Sequence, residues 1–179
     1  MGLRPARCYR KIERPNTRIS ISKPRKGYVK GVPPSKIHRF DAGVRKPEFT
    51  VTMYLVGKNA VQIRSNALEA ARIAATKQLE KHLGVDGFFM KVLIFPHHVL
   101  RENPLATGAG ADRFQTGMRQ AFGRPIGTAA QIKTNQRILE ARVAPGNEAV
   151  CVKALKVASS KVPTPCYIEA PGTSRKSRK

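Results

Sequence analysis

Twelve lysines and arginines stand among the first forty residues against a single acid, Glu13. Their chemistry is that of phosphate capture: an arginine fork donates paired hydrogen bonds to phosphate oxygens, and a lysine supplies a point charge. The candidate contacts are Arg4, Arg7, Arg10, Lys11, Arg14, Arg18, Lys23, Arg25, Lys26, Lys30, Lys36 and Arg39. Tyr9, Tyr28 and Phe40 lie among them and have flat faces on which unpaired bases stack. A merely solubilising tail requires charge alone, without this mixture.

A second cluster falls between Pro96 and about Thr128, a stretch without sustained periodicity that contains Gly108, Gly110, Gly117, Gly123 and Gly127. Arg101, Arg113, Gln115, Arg119, Gln120 and Arg124 are interleaved there with Phe114, Met118 and Phe122. Connections longer than about 12–15 residues are uncommon in compact domains unless they carry function or are mobile. A glycine-rich strip of guanidinium groups and aromatics suits an irregular RNA surface, with backbone N–H groups meeting phosphates and side chains meeting splayed bases. Asp112 to Gln120 has room for one helical turn.

Other chemistries find no support. Gly108-Ala109-Gly110-Ala111-Asp112-Arg113 lacks the last glycine of a dinucleotide fingerprint, and no Gly-Lys-Ser/Thr closes a phosphate loop. His97 and His98 are adjacent, so on a strand they would face opposite ways; no H-E-x-x-H, carboxylate pair or nucleophile motif accompanies them. Cys8, Cys151 and Cys166 form no C-x-x-C pair and imply neither a disulfide framework nor zinc. The expectation is no enzyme, no cofactor, no metal and no small-molecule substrate.

The elements that must position these residues are set in a chain of 179 residues with 34 Lys+Arg, 11 Asp+Glu and a formal net charge of +23. That length predicts one modest core, and that charge predicts a polyanionic partner. No apolar run approaches the roughly 18 residues of a membrane span. The N-terminus has no apolar signal stretch, Ala6 stands where a myristoylation signal has Ser or Thr, and early prolines interrupt any transit-peptide helix. A reducing compartment fits the cysteines best.

Residues 1–40 carry too few apolar side chains and too many prolines to order alone, so they read as an extended basic arm. From Phe49 the pattern alternates: Phe49, Val51, Met53 and Leu55 share one strand face. Val61 to Ile63 is a shorter strand or connection. A helix then starts at Asn66, whose spacing to Glu69 is that of a capping box; Leu68, Ala71, Ala75, Leu79 and Leu83 form its apolar stripe, and Gly84 predicts a left-handed end. Phe88 to Phe95 reads as the central strand, Ile138 to Val143 as another. Asn147 caps a second helix that Pro163 terminates, Tyr167-Ile168 is a last short strand, and a basic tail follows Pro171. The fold class is α+β, a two-layer α/β sandwich with an arm at 1–40, a globular part at 41–170 enclosing the 96–128 loop, and a tail at 171–179.

Three stretches carry a family resemblance: Met1-Gly2-Leu3-Arg4-Pro5-Ala6-Arg7-Cys8-Tyr9-Arg10, Ala67-Leu68-Glu69-Ala70-Ala71-Arg72-Ile73, and Gly110-Ala111-Asp112-Arg113-Phe114-Gln115-Thr116-Gly117-Met118-Arg119. Phe95 to Arg101 and Ala121 to Thr128 extend it. Together they resemble the archaeal and eukaryotic large-subunit ribosomal proteins called L ten e, counterparts of bacterial L sixteen, over nearly the whole chain. The chain ends sooner than a eukaryotic member would, which points to the archaeal branch.

The resemblance implies an α/β hammerhead fold and a structural, cytoplasmic role in the large ribosomal subunit. It implies binding to large-subunit rRNA between the central protuberance and the peptidyl-transferase region, beside the tRNA acceptor arm and neighbouring ribosomal proteins. The loop that family members extend toward tRNA corresponds here to Arg101 and Asp112–Arg124, which makes Arg101, Arg113, Gln115, Met118, Arg119, Phe122 and Arg124 the loop candidates. Apart from the resemblance, a chromatin-like DNA-binding architectural protein has the same charge, and relative affinity for duplex DNA and structured RNA separates the two.

Overall fold

The computed structural model of the chain describes residues 3–12 and 29–170. Arg14, Arg18, Lys23, Arg25, Lys26, Tyr28 and the tail from 171 onward lie outside the described residues. In chain order the elements are β1 (Asp41–Gly43), β2 (Val51–Gly57), β3 (Val61–Arg64), α1 (Ser65–Leu83), β4 (Phe88–Val92), β5 (His98–Glu102), β6 (Arg124–Ile132), β7 (Gln136–Val143), α2 (Glu148–Ser159) and β8 (Cys166–Glu169). One 3-10 turn lies at Ala6–Tyr9 and another at Ala111–Arg113. Among the described residues the architecture is mixed α+β, with two helices and two antiparallel sheets.

The larger sheet has the order β1-β4-β7-β2-β8. The alternation from Val51 to Leu55 places Val51, Met53 and Leu55 in the core, and Leu55 lies opposite Leu139 of β7. The central strand is β7, between β4 and β2; the apolar run from Phe88 forms β4, one place off centre. That strand stops at Val92, and Leu93 and Phe95 turn out to solvent. Apolar content marks burial on both faces and does not rank interior strands.

The α1 stripe packs as the spacing predicts: Leu68, Ala71, Ala75 and Leu79 are fully buried, with Leu83 at the margin. The helix packs on α2 and also touches β4 of the larger sheet and β3 and β6 of the smaller. Its start differs from the expected box. It begins at Ser65 after Arg64 with no side-chain cap, and Glu69 turns to Arg72, accepting from Nε at 2.9 Å and from NH2 at 2.6 Å. The paired guanidinium lowers the pKa of the Glu69 carboxyl and outweighs a reach back to the cap. Gly84 has φ +73° but an extended ψ, so it ends the helix without entering the left-handed helical region. Asn147 precedes α2 without a side-chain cap.

The expected long loop is shorter than its sequence suggests. Its two ends pair as β5 and β6 and, with β3, make a second sheet of order β3-β6-β5, leaving 103–123 as the connection. Pro125, Gly127 and the alanines of β6 carry little of the β-branched pattern that marks a strand. Cys151 is buried in the core, where burial pushes its thiol up to about 12, and Cys166 packs against that core.

Parts of the basic N-terminal region are built into this body. Val29 and Ile37 are buried, the Phe40 carbonyl accepts from Val92 N–H, and the Phe40 ring stacks on Phe95 with centroids 5.3 Å apart. Residues 3–12 lie along the outer edge of β3. Gln62 N–H donates to the Arg10 carbonyl at 2.9 Å, Gln62 Nε2 donates to the Tyr9 and Lys11 carbonyls, and Arg64 donates to the Arg4 carbonyl. An exposed strand edge gains by such cover, which stabilises a conformation that charge-rich residues would not hold alone.

Candidate nucleic-acid interface

Glu102, at the end of β5, joins the two clusters that the sequence sets far apart. Its Oε1 pairs with Arg4 Nε at 2.6 Å, and its Oε2 accepts from the Tyr9 hydroxyl at 2.9 Å. Burial, reinforced by that hydrogen bond, pushes the Tyr9 phenol up to about 12, so it remains a donor throughout the neutral range. The Tyr9 ring also faces the Arg64 guanidinium at 5.6 Å. Tyr9 and Phe40 thus have partners within the fold.

The root of the 103–123 connection is closed on its other side. Arg101 lies with its guanidinium carbon 3.8 Å from the Phe122 ring centroid, and its Nε and NH1 are buried without a hydrogen-bond partner. Gly123 passes so close to Glu102 that a Cβ there would come within 2.5 Å of the Glu102 carbonyl carbon. Inside the loop, Gln115 accepts from Ala106 N–H and donates to Asn103 Oδ1. Gln115 is therefore a staple of the loop, a use that its position among arginines did not signal.

What the loop presents outward is cationic and apolar. Arg113, Met118, Arg119 and Arg124 are exposed, Phe114 is 88% exposed, and Phe122 covers Arg101 with its outer face free. Arg7, Arg10, Lys11, Lys30, Lys36 and Arg39 are also exposed. Among the described residues none of these exposed cations has a carboxylate partner; the ion pairs there use Arg4, Arg72, Arg137 and Arg142. Unpaired guanidinium groups on a short-tethered loop keep their hydrogen-bonding capacity for an external anion.

Among the described residues no three of His, Cys, Asp and Glu converge on a metal-sized site, and no helix is long and apolar enough to cross a membrane. His97 is exposed with its ring 4.5 Å from Phe95, while His98 is buried in β5. The residue that sequence reasoning missed is Glu102. An acid in a cationic stretch signals a local pairing role, but its partners at 4 and 9 could not be found by spacing.

Fold and surface together define an α+β protein with a strongly cationic surface and a rooted, arginine-bearing loop. Residues 16–169 match the family described as Ribosomal protein L16p/L10e, and the chain belongs to that family. Archaeal relatives named large ribosomal subunit protein uL16 agree along almost the full length. The one from Archaeoglobus fulgidus is 44% identical over 168 residues, 94% of this chain and 92% of its own. That of Thermoplasma volcanium is 43% identical over the same shares, and that of Methanococcus maripaludis 44% over 94% of both chains.

Proposed function

We propose that the chain is a structural component of the large ribosomal subunit, an α/β hammerhead domain anchored in rRNA by its basic ends. Residues 1–40 and 171–179 neutralise rRNA phosphates, the body fixes orientation, and the 103–123 connection supports placement of the tRNA acceptor arm. Catalysis is left to the RNA. The observation that carries this reading is the loop itself: a root held by Glu102, Arg101 and Gly123, below Arg113, Phe114, Met118 and Arg119, whose exposed side chains have no hydrogen-bond or ion-pair partner among the described residues. A loop fixed at its base loses less entropy when its tip is ordered by RNA, so more of each contact appears as affinity.

The test is Arg113→Ala and Arg119→Ala in the full chain. Both should leave the thermal unfolding midpoint unchanged, because the side chains are exposed and unpartnered. Large subunits assembled with either variant should bind tRNA more weakly or mature late. Wild-type tRNA binding, assembly and peptide synthesis in both variants would remove the loop from the functional reading.

A further inference from the structure

A groove of about 640 Å³ lies between the first residues of the chain, the start of α1 and the strands β5 and β6. Such a volume lies inside the roughly 300–1,000 Å³ of small-ligand sites. Leu3, Ile73 and Ile126 line it and are all more exposed than apolar side chains of that size would be in a filled core. Thr128 and Arg64 line it too, and each has a polar atom without a hydrogen-bond partner just beneath the surface: Thr128 Oγ1 and Arg64 Nε are buried, and the Thr128 residue is only 8% exposed. Ser65 and Asn66 belong to the same wall, at the N-terminus of a 19-residue helix that has no side-chain cap. Backbone N–H groups of that first turn have no partner within the helix and favour an anion.

The carboxylates beside the groove are already engaged. Both Glu69 oxygens are held by Arg72, and those of Glu102 by Arg4 and Tyr9. Lys36 and Arg64 leave the rim cationic. An apolar peptide or lipid chain would fill the volume but leave the buried hydroxyl and guanidinium N–H unmet. A flat heterocycle with hydrogen-bonding edges, carrying one negative charge beside it, answers all of these features. We infer that the groove holds a single unstacked nucleotide of the RNA, its base against Leu3, Ile73 and Ile126, its edge on Thr128 and Arg64, and its phosphate at the first turn of α1. The inference rests on the RNA-binding reading above and adds a specific pocket to it.

Thr128→Val and Ala70→Trp test it in the full chain. The first removes the orphan hydroxyl; the second fills the groove from an exposed helix position without changing charge. In the free chain Thr128→Val should hold or raise the unfolding midpoint, because a buried unpartnered hydroxyl is lost. Against a large-subunit rRNA transcript each variant should bind up to about tenfold more weakly, the scale of one lost hydrogen bond for the first and of a base excluded from its site for the second. A photoreactive benzoylphenylalanine at position 73, in assembled large subunits, should attach to one unpaired nucleotide. Wild-type binding that weakens with salt, matched by both variants, would overturn the groove and leave the RNA reading standing; so would attachment of the label to protein or to paired RNA. Failure of the wild-type chain to bind the transcript at low salt would overturn both.

Discussion

At residue 123 a single hydrogen decides the geometry. The backbone there runs against Glu102, with its carbonyl carbon 2.5 Å and its nitrogen 2.8 Å from where a Cβ would sit. Gly123→Ala must therefore push β5 from the loop or unseat Glu102 from Arg4 and Tyr9. It should cost about 1–3 kcal/mol, the range of overpacking in a tight site. Gly127→Ala, where no atom lies within 4 Å of the added carbon, should cost far less. Chemical denaturation and amide exchange check this: exchange in 103–123 should rise in the first variant while β2 and β7 keep their protection, and equal stability of the two variants would refute the clamp. The sequence marked Gly123 as a loop glycine and marked Tyr9, Phe40 and Gln115 as ligand contacts. Residue type could not tell these uses apart. Tyrosine serves a base or a carboxylate equally well, and the carboxylate Tyr9 serves is 93 positions away.

Elements differ in how much of themselves they write into the chain. The α1 helix is legible because its stripe repeats over 19 residues, and every buried position of it helps attach the helix to α2 and the strands beneath. The smaller sheet is nearly silent. Strand β3 has four residues, β5 opens on a histidine and ends on charged residues, and β6 interrupts its few β-branched residues with proline, glycine and two alanines, so pairing between them rests on tertiary context that no local pattern reports. Because α1 touches both sheets, its stripe also supports the sheet from which the loop springs. Leu68→Ala removes a fully buried side chain near the start of α1, and truncations of that kind cost about 2–5 kcal/mol. Leu93→Ala, on a side chain 38% exposed, should cost less than half as much. Urea unfolding of the two variants measures the difference, and similar midpoints would show that the stripe does not carry the fold.

For the whole molecule, the charge of +23 was legible at once, but not how the basic N-terminal region divides its labour. Residues 29–40 supply Val29, Ile37 and Phe40 to the body, and residues 3–12 seal the edge of β3, so removing 1–40 would damage the fold as well as the binding surface. A truncation therefore cannot isolate electrostatics. Replacing Arg14, Arg18, Lys23, Arg25 and Lys26 by glutamine spares both structural contributions and removes five charges. Each phosphate contact adds about 0.7–0.9 to the slope of log affinity against log salt, because neutralisation releases condensed counterions. If all five cations meet phosphate, the slope for an rRNA transcript should flatten by roughly four, with the unfolding midpoint of the free chain unchanged or slightly raised as self-repulsion falls. The binding deficit should then shrink as salt rises, since the lost contacts are those that salt already weakens. A slope equal to that of the wild-type chain would mean that these residues meet no phosphate, and that anchoring belongs to the exposed cations of the folded body and its loop.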